Sequence, residues 1–110
     1  MTASPSYAVD FAGVAQRDLQ SIVEFIAADD ATAARRVLNL MEARVAALKR
    51  MPERGRVVPE LAAMGVHLYR ELVVAPWRII YRISGRTVYI LAVLDGRRNL
   101  EDVLLDRLVR

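Results

Sequence analysis

Of the residue types in this 110-residue chain able to do chemistry, arginine is the most frequent. Arg78 and Arg82 lie within WRIIYRI (77–83), Arg70 lies in HLYRELVV (67–74), and Arg97 and Arg98 follow Gly96. A guanidinium fork binds carboxylates and phosphates bidentately and keeps its charge at any working pH. The chemistry on offer is therefore anion recognition, or stabilisation of developing negative charge. Cysteine is absent, which excludes disulfides and thiolate metal sites. His67 is the single histidine, too few for a histidine zinc site or a Ser/His/Asp triad. No metal and no cofactor is expected.

Charge is distributed by region. Residues 1–34 carry one Arg against five acids, residues 35–56 seven bases against two acids, and residues 65–98 six against two. Fifteen of the sixteen bases are arginine, a bias that a GC-rich genome also produces without any function. No apolar run reaches the 18 residues of a membrane span. MTASPSYAVD has no basic region followed by an apolar stretch and so does not read as a secretory signal. The absence of cysteine fits a reducing cytoplasm, the expected location.

The elements that must position these arginines follow from periodicity. SYAVD (6–10) reads as a first strand. Phe11, Ala15, Leu19, Ile22 and Ile26 recur at helical spacing, predicting an amphipathic helix to about Ala28. Asp30 is the expected N-cap of a second helix, from about Ala31 to Met51, which Pro52 ends. The short joint makes the two an antiparallel hairpin. PERGRVVPELAAMG (52–65), with two Pro and two Gly, reads as a loop. Three β-type runs come next, at 67–74, 77–83 and 87–94, with turns short enough for an antiparallel meander. Asn99 is the expected N-cap of a short C-terminal helix. The fold class is α+β over one domain, 1–110: an N-terminal strand, a helical hairpin, and a three-stranded meander forming one sheet with that strand.

Side chains alternate along a strand. In the run 77–83, Trp77, Ile79, Tyr81 and Ile83 share one face, and Arg78, Ile80 and Arg82 share the other. The aromatic face belongs under the helices. The arginine face must stay partly wet, because an unpaired buried Arg is too costly. Arg70 could lie on that same side. A solvated sheet face explains these arginines, and so does a groove for an anionic or amphipathic partner. His67 at a strand start reads as structural, Trp77 and Tyr81 as core, and Arg35 and Arg36 as a solvated helix face. Arg97 and Arg98 fit a solvated turn or an anion site near a helix start.

Taken in order, these segments resemble the RelE/ParE superfamily of toxins from bacterial type II toxin–antitoxin systems. DLQSIVEFIA (18–27) is similar to the family's first-helix pattern and GRVVPEL (55–61) to its linker. YREL (69–72), PWRIIYRI (76–83), VYILAVL (88–94) and GRR (96–98) continue the signature. The resemblance covers about residues 6 to 98. It implies a small cognate antitoxin whose C-terminal segment wraps the toxin, and growth arrest when the toxin is free. The partner is expected to be acidic, matching the basic regions, and to lie on the apolar–basic surface as a helix or added strand.

The family divides by target. RelE-type members cut messenger RNA on the ribosome without a metal, whereas ParE-type members poison DNA gyrase. The nuclease branch supplies two lysines before the meander turn, a strand arginine, and a C-terminal arginine and tyrosine. Here Arg78 matches the strand arginine, and Arg97 or Arg98 the later one. LYRE (68–71) stands where the lysines are expected and places Glu71 there, while EDVLL (101–105) lacks the tyrosine. Asp95 replaces a histidine that relatives often carry before Gly-Arg-Arg. The resemblance is therefore closer to the ParE branch, a gyrase-inhibiting binding protein. The alternatives are a ribonuclease using Arg78, Arg82, Arg97 and Arg98, and an inactive member that only binds antitoxin. The expected target- or antitoxin-binding residues are Arg70, Arg78, Ile80, Arg82, Arg97 and Arg98.

Overall fold

Two helices lean on one face of a five-stranded sheet, as shown by a computed structural model that describes residues 6–97, 102–103 and 106–107. The strands are β1 (Ala8–Phe11), β2 (Arg56–Val57), β3 (Tyr69–Val74), β4 (Trp77–Ser84) and β5 (Thr87–Asp95), in the spatial order β1-β5-β4-β3-β2. The meander β3-β4-β5 is antiparallel as expected, and β1 joins it by pairing parallel to β5. The helices are α1 (Gly13–Ala27), α2 (Ala31–Ala46) and a single turn, α3 (Pro59–Ala62).

Local signals account for the hairpin. The Asp30 carboxylate accepts from the Ala33 backbone N–H at 3.0 Å, capping α2. α2 ends earlier than Met51. Residues Ala47–Lys49 tighten into a 3₁₀ turn ahead of Pro52, which disfavours helical geometry in the residue before it. The Lys49 carbonyl then accepts from the Tyr7 N–H at 2.8 Å, tying the first strand to the hairpin's end.

One core lies between the helices and the sheet. Ala15, Met41, Val45 and Leu48 pack there on Leu72, Ile79, Tyr81, Val88, Ile90 and Val93, with Trp77 and Ile83 at its margin. The alternation along β4 thus holds. A bulge in β5 shifts the phase of that strand. Ile80 pairs with Ala92 and Tyr81 with Ile90, so Leu91 has no partner. One extra residue reverses the facing of the strand beyond it. Val88 and Ile90 accordingly join the helix-side core, while Ala92 and Leu94 join a second cluster on the opposite face.

That second cluster corrects the reading of residues 52–65 as a loop. Val57 and Val58 continue the ladder, with the Val58 N–H donating to the Tyr69 carbonyl at 2.9 Å. Pro59 opens α3 at the position where a missing N–H costs nothing. Val58 and Leu61 then bury against Ile80, Ala92 and Leu94, with Val103 packed beside them. Each aliphatic side chain buried this way contributes about 1.5–3 kcal/mol, enough to hold a short segment flat on the sheet. Within the expected C-terminal helix, residues 102–103 and 106–107 are helical. The remainder of that segment, and Arg98, lie outside the described residues.

Candidate functional site on the second face of the sheet

β4 places Arg78, Ile80 and Arg82 side by side on the face away from the helix pair, but it places them in three different environments. Ile80 is fully buried under Val58 and Leu61, so it offers no surface to a partner. The expectation of a wet, open arginine face fails here because the 52–65 segment, folded as β2 and α3, covers half of it.

Arg78 is enclosed too, with a side chain only 11% exposed. It is buried because it is paired. Its Nη1 and Nη2 donate to the two Glu60 oxygens at 2.7 and 2.8 Å, and its Nε donates to Glu71 at 2.6 Å. The Glu71 side chain has no exposure and accepts from Arg56 Nε at 2.6 Å on its other oxygen. Register explains the arrangement. Arg56 stands directly opposite Glu71 across β2-β3, and Arg78 lies diagonal to Glu71 across β3-β4, within reach of long side chains. Two arginines and two glutamates form one neutral chain, Arg56–Glu71–Arg78–Glu60. Hydrogen bonds to Glu60 and then Glu71 hold the Arg78 guanidinium above its ordinary pKa, and the Arg78 bonds hold the Glu60 carboxyl below its own.

Arg82 differs. Its guanidinium sits 5.5 Å from the centroid of the Tyr89 ring, and among the described residues it has no acidic partner. It is half-buried on the part of the face that α3 leaves open.

Arg70 does not lie with Arg78 and Arg82. It stands opposite Tyr81, and directly opposed residues share a face, so it projects to the helix side. There its Nη1 donates to the Gly55 carbonyl at 2.8 Å. Arg97 is exposed and folds back on Asp95, with Nη2 to Oδ2 at 2.7 Å and Nε to Oδ1 at 3.0 Å. That pairing holds its guanidinium above the ordinary pKa. Beside Arg78, Gly96 leaves little room for a side chain: a Cβ would come 3.1 Å from Arg78 Cδ and from the Pro76 carbonyl.

Arg56, Glu60 and Glu71 complete the site, and sequence reasoning missed their pairing. The available signal was Glu71 itself, a lone acid inside the apolar run YRELVV, which demands a cationic partner if buried. A groove of about 360 Å³ lies at the far end of the sheet, between α1 and the ends of β4 and β5. Ile22, Phe25, Ile26, Pro76 and Trp77 line it, and Phe25 is 83% exposed. Asp18 and Arg107 border it with a bidentate ion pair. Among the described residues, no three acidic or histidine side chains gather as metal ligands would, and no helix is long and apolar enough to cross a membrane.

Known proteins share this architecture. The family of the ParE toxin of the type II toxin–antitoxin system parDE matches residues 9–100. The chain is 40% identical over 63 residues to Toxin ParE3 of Caulobacter vibrioides, a match covering 57% of this chain and 59% of that relative's length. It superposes on the chromosomal ParDE toxin–antitoxin system from P. aeruginosa with a TM-score of 0.69 at 18% identity, covering 84% of this chain and 98% of that one. The toxin–antitoxin complex RelBE2 from Mycobacterium tuberculosis gives 0.57 at 26% identity, covering 86% and 97%. Since the family match takes in nearly all of its strands and both long helices, the chain belongs to the ParE toxin family of type II toxin–antitoxin systems.

Proposed function

We propose that this toxin acts by binding DNA gyrase rather than by cutting RNA, and that a cognate antitoxin neutralises it. The observation that carries this reading is the neutral chain Arg56–Glu71–Arg78–Glu60. Metal-free RNA cleavage needs a cation free to stabilise charge on the phosphate. Arg78, the arginine matching the nuclease strand position, has its Nε and both terminal nitrogens committed to carboxylates. A phosphate arriving there would have to displace Glu60 and face Glu71, and like charge repels. Arg97 is likewise engaged by Asp95.

The antitoxin's place is supported by the groove beside α1. Its aliphatic and aromatic lining suits the apolar face of an amphipathic helix, and the exposed Phe25 supplies an anchor of the kind that dominates such interfaces.

Two measurements test the proposal together. Purified chain at micromolar concentration should inhibit gyrase supercoiling, and co-purified antitoxin should relieve the inhibition. Cells expressing the chain should stop growing while ribosome-bound messages stay intact by primer extension. Unaffected supercoiling, or messages cut in a manner that Arg78→Ala abolishes, would overturn it in favour of the ribonuclease reading.

A further inference from the structure

Beside the part of the second face that α3 covers, one register row crosses four strands, its Tyr69 end packed against the edge of the Val58–Leu61 cluster. Tyr69 on β3 stands opposite Arg82 on β4, Arg82 opposite Tyr89 on β5, and Tyr89 opposite Asp10 on β1. Directly opposed residues share a face, so the order across the sheet is tyrosine, arginine, tyrosine, aspartate. Tyr69, Arg82 and Tyr89 are half-buried and Asp10 is exposed. The next row outward is Ser84, Thr87 and Ala8, small side chains that leave the rings open from that side.

We propose that this row is a stacking platform for single-stranded nucleic acid. Tyr69 and Tyr89 offer π surfaces to two bases, and Arg82, between them, takes the linking phosphate. The two rings flank the cation by one strand spacing each, about 4.8 Å. Aromatic faces interleaved with a basic side chain are what sequence-tolerant single-strand binding requires, because every base has a π face and every link a phosphate. Arg82 is available for that role where Arg78 is not. Among the described residues its guanidinium meets the Tyr89 ring and no carboxylate, a stacking that widens the π surface and leaves the charge unneutralised. Asp10 closes the row and can accept from the amino group of a base. An apolar helix would find too little aliphatic surface here, since the aliphatic half of the face is already covered by Val58 and Leu61. The platform makes and breaks no covalent bond, and it does not depend on gyrase being the target.

Fluorescence anisotropy with short labelled single-stranded RNA and DNA of mixed sequence, and with the matching duplex, tests it on the full chain. Single strands should bind more tightly than duplex, and a preference between RNA and DNA identifies the natural ligand. Tyr69→Ala and Tyr89→Ala should each weaken binding by roughly 5- to 100-fold, the loss of one stacked base, while Tyr89→Phe should bind like the parent chain. Arg82→Ala should weaken binding and flatten its salt dependence. Arg35→Ala, on the exposed side of α2, should change neither, and circular dichroism melting should confirm that each variant folds. Equal losses for Arg35→Ala would reduce the effect to diffuse basic attraction and overturn the proposal. Absence of binding at low salt, or equal affinity for duplex, would overturn it as well. Concentration-dependent self-association abolished by Tyr69→Ala, with no oligonucleotide bound, would assign the row to a second copy of the chain instead.

Discussion

Glu71 is the residue on which the second face turns. A carboxylate with no exposure is tolerable only while its cations stay in place, and it has two, Arg56 and Arg78. Removing it leaves the enclosed Arg78 with half of its pairing, and breaking a buried ion pair costs about 3–5 kcal/mol. Glu71→Ala should therefore lower stability by that order in urea denaturation. Arg56→Ala should cost far less, since its side chain is 61% exposed and Glu71 keeps Arg78. Glu60 adds a pH signature. Its pKa is lowered from the ordinary 4.5 by the Arg78 hydrogen bonds. A group depressed on folding contributes stability above its unfolded pKa and loses it as pH falls through its folded value. Melting temperature should accordingly fall with acid below about pH 4.5, and Glu60→Gln should flatten that fall.

At the scale of elements, the segment from Pro52 to Ala62 decides what the sheet can show to solvent, and one hydroxyl anchors its start. Tyr81 Oη donates to the Pro52 carbonyl at 2.7 Å and accepts from the Gly55 N–H at 2.9 Å. Gly55 is held so tightly that a Cβ would fall 2.4 Å from the Glu71 carbonyl. Tyr81→Phe keeps the ring in the core and strips both partners, leaving a buried N–H without an acceptor. The expected loss is about 1–3 kcal/mol, read by thermal denaturation, together with faster amide exchange at Gly55. The helical hairpin was legible in the sequence, because its apolar stripe, its Asp30 cap and its Pro52 stop are all local. The β2-α3 segment was not. Two prolines and two glycines read as loop, and only the sheet face beneath gives Val58 and Leu61 something to bury against.

For the molecule as a whole, Asp18 joins parts that are far apart in the chain. It accepts from the Val93 N–H at 3.0 Å and pairs with Arg107 through both of its oxygens, linking α1 to strand β5 and to the C-terminal segment. Asp18→Ala should cost more than Arg107→Ala. The first orphans the backbone N–H of Val93, a residue 4% exposed, a penalty of about 1–3 kcal/mol. The second leaves that bond in place. Equal melting temperatures for the two variants would show that Val93 finds another acceptor. The same linkage places the Asp18–Arg107 pair at the border of the groove beside α1, so both variants also report on how that groove is closed.

The sequence by itself determined the helical hairpin, the meander, the face that buries Tyr81 and turns Trp77 to the core margin, and the family, because periodicity, capping and motif order are local properties of the chain. The tertiary structure decided which of the two β4 arginines is bound by carboxylates. Arg78 and Arg82 are chemically identical and four residues apart on one strand face, and nothing in WRIIYRI distinguishes them. Strand register brings Glu71 to one and two tyrosines to the other, and α3 folded over the face brings Glu60 to the first. That register comes from long-range pairing, from the β5 bulge and from the short β2 strand laid along β3, none of which the local sequence encodes.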